Sequence, residues 1–308
     1  MKELKLANGL KVTTYPAPPA NFDFGKATEA ERERFGIPKF PTEEARQRFL
    51  QALKGVRIIE PEFKLRDRKR SGLPRLNRAH GVETSGIWSG GVVYDPTGDK
   101  IWDVNGTWNI PTPALPSGAN DGIWYTASSW VGIDGDESSG DVLQAGCDAD
   151  ILTSGGKQQV AYNPWWEWYP AGSYWITNMP AKAGDQFFGW IQCIPMLAGS
   201  ANPNSGLILL SNNSQGFALF FVATAPSGTV LQGNCAEWIL EALETGPHKA
   251  AELAKYTTVK FTNCAAVTVK DKVLYPDKGN TINMLNSSGG VISKGKIVGT
   301  REVEVSYV

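Results

Sequence analysis

The sequence predicts an all-β protein, an antiparallel sandwich or barrel, that follows a partly helical N-terminal extension. From residue 84 onward, short runs rich in β-branched and aromatic residues are bounded by Gly, Pro, Asn and Asp, as antiparallel strands usually are. The 33 glycines and 11 tryptophans favour strands and turns over helices. We therefore expect an extension over residues 1–83 and a β-domain over residues 84–308.

The extension is predicted to begin extended and to continue with two short helices. Residues 15–19 are rich in Pro and therefore stiff. Thr28 and Thr42 each precede acidic residues, as helix N-caps do, which predicts helices over 28–35 and 42–54, the second ending at Gly55. Residues 64–78 are rich in Arg and predict an exposed linker, which is either a cleavage region or a solvated loop.

The β-domain is predicted to contain eleven strands and one helix. Residues 212–216 read Asn-Asn-Ser-Gln-Gly, the chemistry of a hairpin turn. The helix is expected over residues 248–256. The longest nearly apolar stretch, 216–225, is about half the ~20 residues that a membrane helix needs, so we expect no membrane contact. The strands are expected over residues 87–94, 101–108, 123–133, 142–147, 158–169, 186–195, 206–211, 217–223, 238–243, 257–269 and 303–308.

The formal net charge of −1 conceals a basic extension on an acidic body. Residues 1–83 carry 18 Lys+Arg against 11 Asp+Glu, and residues 84–308 carry 12 against 20. Such an extension either contacts nucleic acid or a membrane, or docks on its own body. The basic residues do not form one continuous block, which favours docking, and we expect a monomer that binds no nucleic acid.

Several catalytic classes lack their residues here. The two histidines, His80 and His248, lie in the basic linker and the predicted helix, and neither accompanies a G-x-S-x-G motif. The H-E-x-x-H zinc motif is absent, as is an Asp followed by Thr-Gly or Ser-Gly. The four cysteines are scattered, which permits two disulfides or none. Carboxylate, amide and tryptophan chemistry remains, with no metal or cofactor expected.

Four segments carry the functional prediction. Residues 129–136 read Ser-Trp-Val-Gly-Ile-Asp-Gly-Asp, residues 142–146 Val-Leu-Gln-Ala-Gly, residues 165–170 Trp-Trp-Glu-Trp-Tyr-Pro, and residues 236–239 Ala-Glu-Trp-Ile. Together with Trp-Ser-Gly-Gly at 88–91 and Val-Ser-Tyr-Val at 305–308, they closely resemble the glutamic peptidases, the eqolisin family. The resemblance covers roughly residues 84–308 in the motif order of that family.

The resemblance implies a catalytic pair, Gln144 and Glu237, on a lectin-like sandwich of two curved antiparallel sheets. It also implies a polypeptide substrate, an acidic working pH, insensitivity to pepstatin, and secretion, although residues 1–6 lack the apolar run of a secretory signal and a cytoplasmic location is the alternative. The residues expected to shape the site or bind substrate are Trp88, Trp130, Asp134, Glu167 and Trp238.

The chemistry agrees with this pair independently of the family. Peptide hydrolysis needs a base for water, a donor for the oxyanion and an acid for the leaving nitrogen. One glutamate can act first as base and then as acid. A glutamine amide can orient the water and donate to the oxyanion without changing its charge with pH.

Each residue also has a structural alternative. Strand glutamines such as Gln144 usually face solvent or bond to backbone, Asp134 fits a turn, and the tryptophans fit core packing. The competing function is a carbohydrate-binding or glycoside-hydrolysing sandwich, in which Glu167 and Glu237 would form an acid and base pair. A binding protein of the same fold without activity is a third possibility.

The charge division predicts a role for the extension. We expect residues 1 to about 80 to act as a prosegment that covers the acidic cleft and loosens as the carboxylates of the body become protonated. Cleavage within residues 64–78 would then release it. The alternative is a permanent extension that braces the sandwich.

Overall fold

Strands make up most of the computed structural model, which describes residues 1–38, 40, 43–66, 77–79, 81–135, 139–243 and 252–308. The helices of these residues are α1 Glu29–Phe35, α2 Glu43–Ala52 and α3 Ile194–Leu197, with 3-10 turns at Ala7–Gly9, Phe24–Lys26 and Pro276–Lys278. The strands are β1 Lys2–Lys5, β2 Lys11–Thr14, β3 Arg57–Ile58, β4 Phe63–Leu65, β5 Asn77–Ala79, β6 Val82–Ser85, β7 Trp88–Tyr94, β8 Ile101–Asn109, β9 Pro113–Ala114, β10 Trp124–Asp134, β11 Val142–Ser154, β12 Lys157–Tyr169, β13 Gly172–Ile176, β14 Gln186–Gln192, β15 Ser205–Asn212, β16 Phe217–Thr224, β17 Cys235–Glu241, β18 Lys255–Tyr256, β19 Val259–Thr268, β20 Val273–Leu274, β21 Asn280–Leu285, β22 Val291–Ile297 and β23 Val303–Tyr307.

Two antiparallel layers form the sandwich. The front sheet runs in the order β4, β13, β12, β11, β10, β17, β7, β21. The back sheet runs β19, β8, β14, β15, β16, β2, β1. Strand β19 takes part in both layers, because its first residues pair with β23 and its later residues with β8. The fold is the antiparallel β-sandwich that the sequence predicts.

The main core lies between the two sheets. Alternate residues of the front strands, such as Val131, Leu143 and Trp238, pack there against back-sheet residues such as Ile191 and Leu219. The other residues of the front strands face away from the core, and this surface is here called the outer face of the front sheet. Its apolar members form a separate buried cluster of Trp88, Val92, Trp130, Trp165, Cys235, Ile239 and Ile282.

The N-terminal extension is built into the back sheet. Strand β2 pairs with β16 and β3 lies parallel to it, while α1 and α2 cover the outer face of the back sheet. Phe49 is fully buried there, with ring centroids 6.3 Å from Trp190 and 5.9 Å from Phe220. Strand β4 instead joins the edge of the front sheet by pairing with β13. The helices therefore lie on the back of the sandwich, away from the outer face of the front sheet.

Helix α1 forms where the sequence predicts it. The Thr28 hydroxyl accepts from the Glu31 N–H, and the Glu31 carboxylate accepts from the Thr28 N–H, which completes a capping box. Gly36 ends the helix in the left-handed conformation at φ 67°. Helix α2 ends at Ala52, slightly before the predicted end, and Thr42 lies outside the described residues.

The predicted strands each overlap an observed one, but the helix predicted over 248–256 is wrong where it can be checked. Lys255–Tyr256 forms β18, Leu253 makes an isolated bridge with Thr126, and residues 248–251 lie outside the described part of the chain. Residues 194–195 belong to α3 rather than to the predicted strand. All four cysteines lie in the described part and are buried thiols, not disulfides. No helix among the described residues is long and apolar enough to cross a membrane.

Truncating Phe49 tests how strongly the extension is held. We expect Phe49→Ala to lower the free energy of unfolding by about 3–5 kcal/mol, because the ring is buried against two aromatic side chains of the back sheet. Urea denaturation of the whole chain measures this change. Leu65→Ala, at a half-exposed position of β4, is the control and should change stability little. A Phe49→Ala variant as stable as wild type would show that this aromatic contact does not hold the extension on the sandwich.

Candidate active site

Three polar side chains and a glycine form one row across the outer face of the front sheet. In the strand register, Gly132 of β10 pairs with Gln144 of β11 on one side and with Glu237 of β17 on the other. Gln144 in turn pairs with Glu167 of β12. Directly paired residues project from the same face of a sheet. The register therefore brings together the predicted pair, Gln144 and Glu237, with Glu167 beside them.

Gly132 leaves a gap between the two predicted catalytic side chains. Because neighbouring strands are about 4.8 Å apart, the backbones of Glu237 and Gln144 are about 10 Å apart. A Cβ at Gly132 would lie 3.1 Å from the Gln144 Cβ and 3.0 Å from the ring of Trp130. A side chain at position 132 would therefore press against both Gln144 and Trp130.

Glu167 sets the orientation of the Gln144 amide. Gln144 Nε2 donates to Glu167 Oε2 at 2.6 Å, with the glutamine fully buried and the glutamate nearly so. A hydrogen bond to a carboxylate is a strong one, so it distinguishes the nitrogen of the amide from the oxygen. The amide oxygen and the second N–H are therefore directed elsewhere from the same fixed side chain.

The indole rings form the walls of the row. Trp88 and Trp130 are both fully buried and meet edge to face, with their centroids 5.0 Å apart. The Trp130 Nε1–H donates to Glu241 Oε2 at 3.0 Å, which fixes the ring beside Gly132. Both rings thus lie beside the row, in the buried cluster on the outer face of the front sheet.

Asp134 holds the segment that leads into β17. Its carboxylate accepts from the backbone N–H groups of Gln232, Gly233 and Asn234 at 2.6, 2.9 and 2.7 Å. Asp134 itself adopts the left-handed conformation at φ 65° at the end of β10. Because Glu237 follows three residues after Asn234, Asp134 positions the strand that carries it.

Trp238 does not belong to the site, which corrects the prediction that it binds substrate. Side chains alternate between the two faces of a strand, so a residue next to Glu237 points to the opposite face. Trp238 is fully buried in the core between the sheets, and its Nε1–H donates to the carbonyl of Asn105 in β8 at 2.9 Å.

An ion pair that no sequence motif predicts joins the extension to this same face. Arg66 follows β4, and its Nη2 lies 2.5 Å from Oδ1 of the fully buried Asp148. The guanidinium carbon lies 4.2 Å from the ring centroid of Trp165. Asp148 also accepts from Ser128 Oγ and Trp175 Nε1. Through Arg66 the extension thus reaches the outer face of the front sheet.

No arrangement of His, Cys, Asp and Glu among the described residues is suited to hold a metal ion. His80 and His248 both lie outside those residues.

The sequence interpretation did not single out Gly132 as a site residue. The alternation of side chains along the strand predicts that Gly132 lies on the same face as Trp130, two residues earlier, and this alternation was the signal that could have identified it.

A carboxyl group at the end of the β10–β11 connection is held protonated. Burial, and secondarily the nearby charge of Asp134, raise the pKa of Asp141 to about 8, although the hydrogen bond from Trp168 Nε1 acts in the opposite direction. The Asp141 carbonyl accepts from Ser139 Oγ, which in turn accepts from the Gly135 N–H. The backbone of Asp141 is thus linked through Ser139 to Gly135, at the end of β10.

Comparisons with known proteins agree with this architecture. Residues 86–307 match the Peptidase A4 family. The chain is 30% identical over 251 residues to aspergillopepsin-2 of Aspergillus niger, covering 76% of this chain and 82% of that protein. It is 26% identical over 228 residues to scytalidopepsin B of Scytalidium lignicola, covering 72% and 77%.

Solved structures show the same fold. Scytalido-glutamic peptidase, crystallised with a transition state analog inhibitor, superposes with a TM-score of 0.57 at 23% identity, covering 72% of this chain and 98% of that one. Aspergilloglutamic peptidase from Aspergillus niger gives a TM-score of 0.50 at 27% identity, covering 60% and 99%.

The fold and the sequence matches define a β-sandwich peptidase. The chain belongs to the Peptidase A4 family, the eqolisins, and is a glutamic endopeptidase.

The pKa of Asp141 predicts a stability that falls as pH rises. In the unfolded chain this carboxyl ionises near its ordinary value, whereas the folded chain keeps the proton up to about pH 8. Between these values the unfolding free energy should fall by up to about 1.4 kcal/mol per pH unit. Asp141→Asn should remove this dependence, so that the variant gains stability at pH 7 relative to wild type but not at pH 3.

Urea denaturation from pH 3 to pH 9 measures this effect. Asp271→Asn, at an exposed position, is the control and should leave the pH dependence unchanged. If Asp141→Asn kept the wild-type slope of stability against pH, the protonated carboxyl would not be its source.

Proposed function

We propose that this endopeptidase works at acidic pH with Glu237 as general base and then general acid, and with Gln144 as the oxyanion donor. The observation that carries the proposal is the row in which both side chains flank Gly132 on one face of the sheet. Burial of both side chains strengthens their electrostatic interaction with a reacting group, because little water remains to screen it.

The geometry suits water attack on a peptide carbonyl. A carbonyl carbon above Gly132 would lie between the carboxylate and the amide, and a water beside Glu237 could pass its proton to the carboxylate. The Gln144 amide would donate to the oxygen as negative charge develops. Glu237, now protonated, would then give its proton to the leaving nitrogen, which returns the site to its starting state.

An acidic optimum follows if the protonated form of the glutamate must be regenerated within each cycle. An unperturbed glutamate has a pKa of ~4.3, so only acidic conditions keep both of its forms accessible. The amide of Gln144 keeps the same charge throughout this range.

The register does not favour the carbohydrate-hydrolysing alternative. Glu167 and Glu237 are separated by three strand spacings, about 14 Å between their backbones. Glycosidase carboxyl pairs are about 5–10 Å apart and face one another across the sugar. Here the Glu167 carboxylate accepts a hydrogen bond from the amide of Gln144, which lies between the two glutamates.

Substitution of either residue tests the mechanism. We expect Glu237→Gln to abolish cleavage of denatured casein, and Gln144→Ala to slow it on the order of 100 to 1,000-fold, because each removes a group that acts in the transition state. Activity is measured between pH 3 and pH 7, with circular dichroism to confirm folding.

Two exposed positions supply matched controls, Glu302→Gln and Gln159→Ala, both of which should keep wild-type turnover. A polysaccharide panel runs alongside the casein. Wild-type turnover in the Glu237→Gln variant would show that Glu237 is not the catalytic base. Cleavage of a polysaccharide would instead support the glycoside-hydrolysing function.

We further propose that the extension, residues 1–83, restrains the enzyme until acidification. The Arg66–Asp148 ion pair on the face that carries the row, and the acidic balance of residues 84–308, support this role. Apolar contacts of α1 and α2 with the back sheet do not depend on pH, so they oppose complete release. We also propose that the protein is secreted, as the resemblance implies, and that it is a monomer.

Timed incubation at pH 7 and pH 4 tests the restraint. We expect cleavage within residues 64–78 at pH 4 only, with activity rising as the cut form accumulates, because protonation of carboxylates weakens their attraction for the basic segment. The N-terminal sequence of each product identifies the cut. An intact chain that is fully active at pH 4 would rule the restraint out.

A further inference from the structure

A buried thiol contacts Glu237, the proposed catalytic glutamate. Cys235 and Glu237 lie on the same face of β17, separated by one residue, and Cys235 Sγ donates to Glu237 Oε1 at 3.5 Å. Both side chains are fully buried. Cys235 belongs to the apolar cluster of the outer face, together with Val92 and Ile282, and a thiol in apolar surroundings keeps its proton. It is therefore a hydrogen-bond donor at this position.

The other oxygen of the carboxyl group has different neighbours. A Cβ at Gly135 would lie 2.9 Å from Glu237 Oε2 and 2.8 Å from the ring of Trp88. Gly135 and the edge of this indole thus lie beside Oε2, while the thiol lies beside Oε1. The two oxygens of Glu237 therefore have different protein neighbours. The carboxyl plane is held between the thiol of Cys235 on one side and Gly135 with the Trp88 ring on the other.

We propose that Cys235 is a positioning residue for the reaction, because its thiol fixes the orientation of the Glu237 carboxyl group and favours its ionised form. This inference rests on the proposed role of Glu237. The thiol touches no substrate and forms no covalent bond in the reaction. It holds one oxygen, so that the other meets the water and the peptide in the same geometry in each cycle.

Two physical effects follow from such a contact. Fixing a reacting group in one orientation raises the rate of the chemical step without changing substrate affinity. A hydrogen bond donated to a carboxylate favours the charged form, so losing it moves the ionisation to higher pH. A thiol is a weak donor, and both effects should be modest.

The test compares Cys235→Ala, which removes the donor, with Cys235→Ser, which replaces the thiol by a stronger donor. For Cys235→Ala we expect kcat to fall about two- to fivefold with KM unchanged, and the acidic limb of the pH–rate profile to move up by about half a pH unit. For Cys235→Ser we expect the acidic limb at or below the wild-type pH. Rates are measured between pH 2 and pH 7 with a fluorogenic peptide built on a bond that the wild-type enzyme cuts in casein.

Cys264→Ala supplies the matched control, since Cys264 is an equally buried thiol located in the core between the sheets. It should alter thermal stability but not the pH–rate profile. If Cys235→Ala changes only stability, as the control does, the inference is overturned. If Cys235→Ala does not fold, an acidic limb of Cys235→Ser that moves upward overturns it instead.

Failure of the mechanism itself would look different. An active Glu237→Gln variant would remove the proposed role of Glu237, whatever the cysteine variants show. An inactive Glu237→Gln variant together with an unchanged Cys235→Ala profile would remove only the role of the thiol.

Discussion

The site depends on the register of one strand, β10, with both of its neighbours. Because side chains alternate along a strand, a shift of one residue would send Gln144 or Glu237 to the core face of the sheet. The pairing of Gly132 with both residues fixes them on one face, and the fit of apolar side chains on the core face holds that pairing in place. Asp134, Trp130 and Glu167 then adjust the orientation of groups that the register has already brought together.

Four of the buried carboxyl groups in the described part of the chain share a partner of one kind, the indole N–H. Trp190 donates to Asp103, Trp168 to Asp141, Trp175 to Asp148 and Trp130 to Glu241, at 2.8–3.1 Å. An isolated carboxylate would be costly in these surroundings, whereas an indole supplies both a large apolar surface and one donor. Tryptophan is therefore well suited to these sheets, because their strands are buried on both faces and still contain carboxyl side chains that need a hydrogen-bond donor. The tryptophans are part of the polar framework as well as of the core.

Local sequence signals predicted a large part of this structure. Turn residues marked the ends of most strands of the sandwich, and Thr28 marked the start of α1, because both depend on short-range backbone chemistry. The prediction failed where distant contacts decide the outcome. Lys255 and Tyr256 are a strand because β9 pairs with them, although their local pattern suits a helix. The sequence motifs identified Glu237 as a candidate. They also led to the prediction that Trp238 binds substrate, which is wrong because a motif does not state on which face of the strand a neighbouring residue lies. Nothing local connects Arg66 with Asp148.

The cover over the back sheet also has a consequence for biosynthesis. The side chain of Phe49 packs against Trp190 and Phe220, which lie far downstream in the chain. Helices α1 and α2 leave the ribosome long before β14, β15 and β16, yet the surface that buries their apolar side chains does not exist until these strands have been made and paired. Contacts of such long sequence separation form slowly and leave apolar surface exposed meanwhile. The two helices are thus synthesised well before the strands that bury them, and during that interval their apolar side chains depend on protection from aggregation.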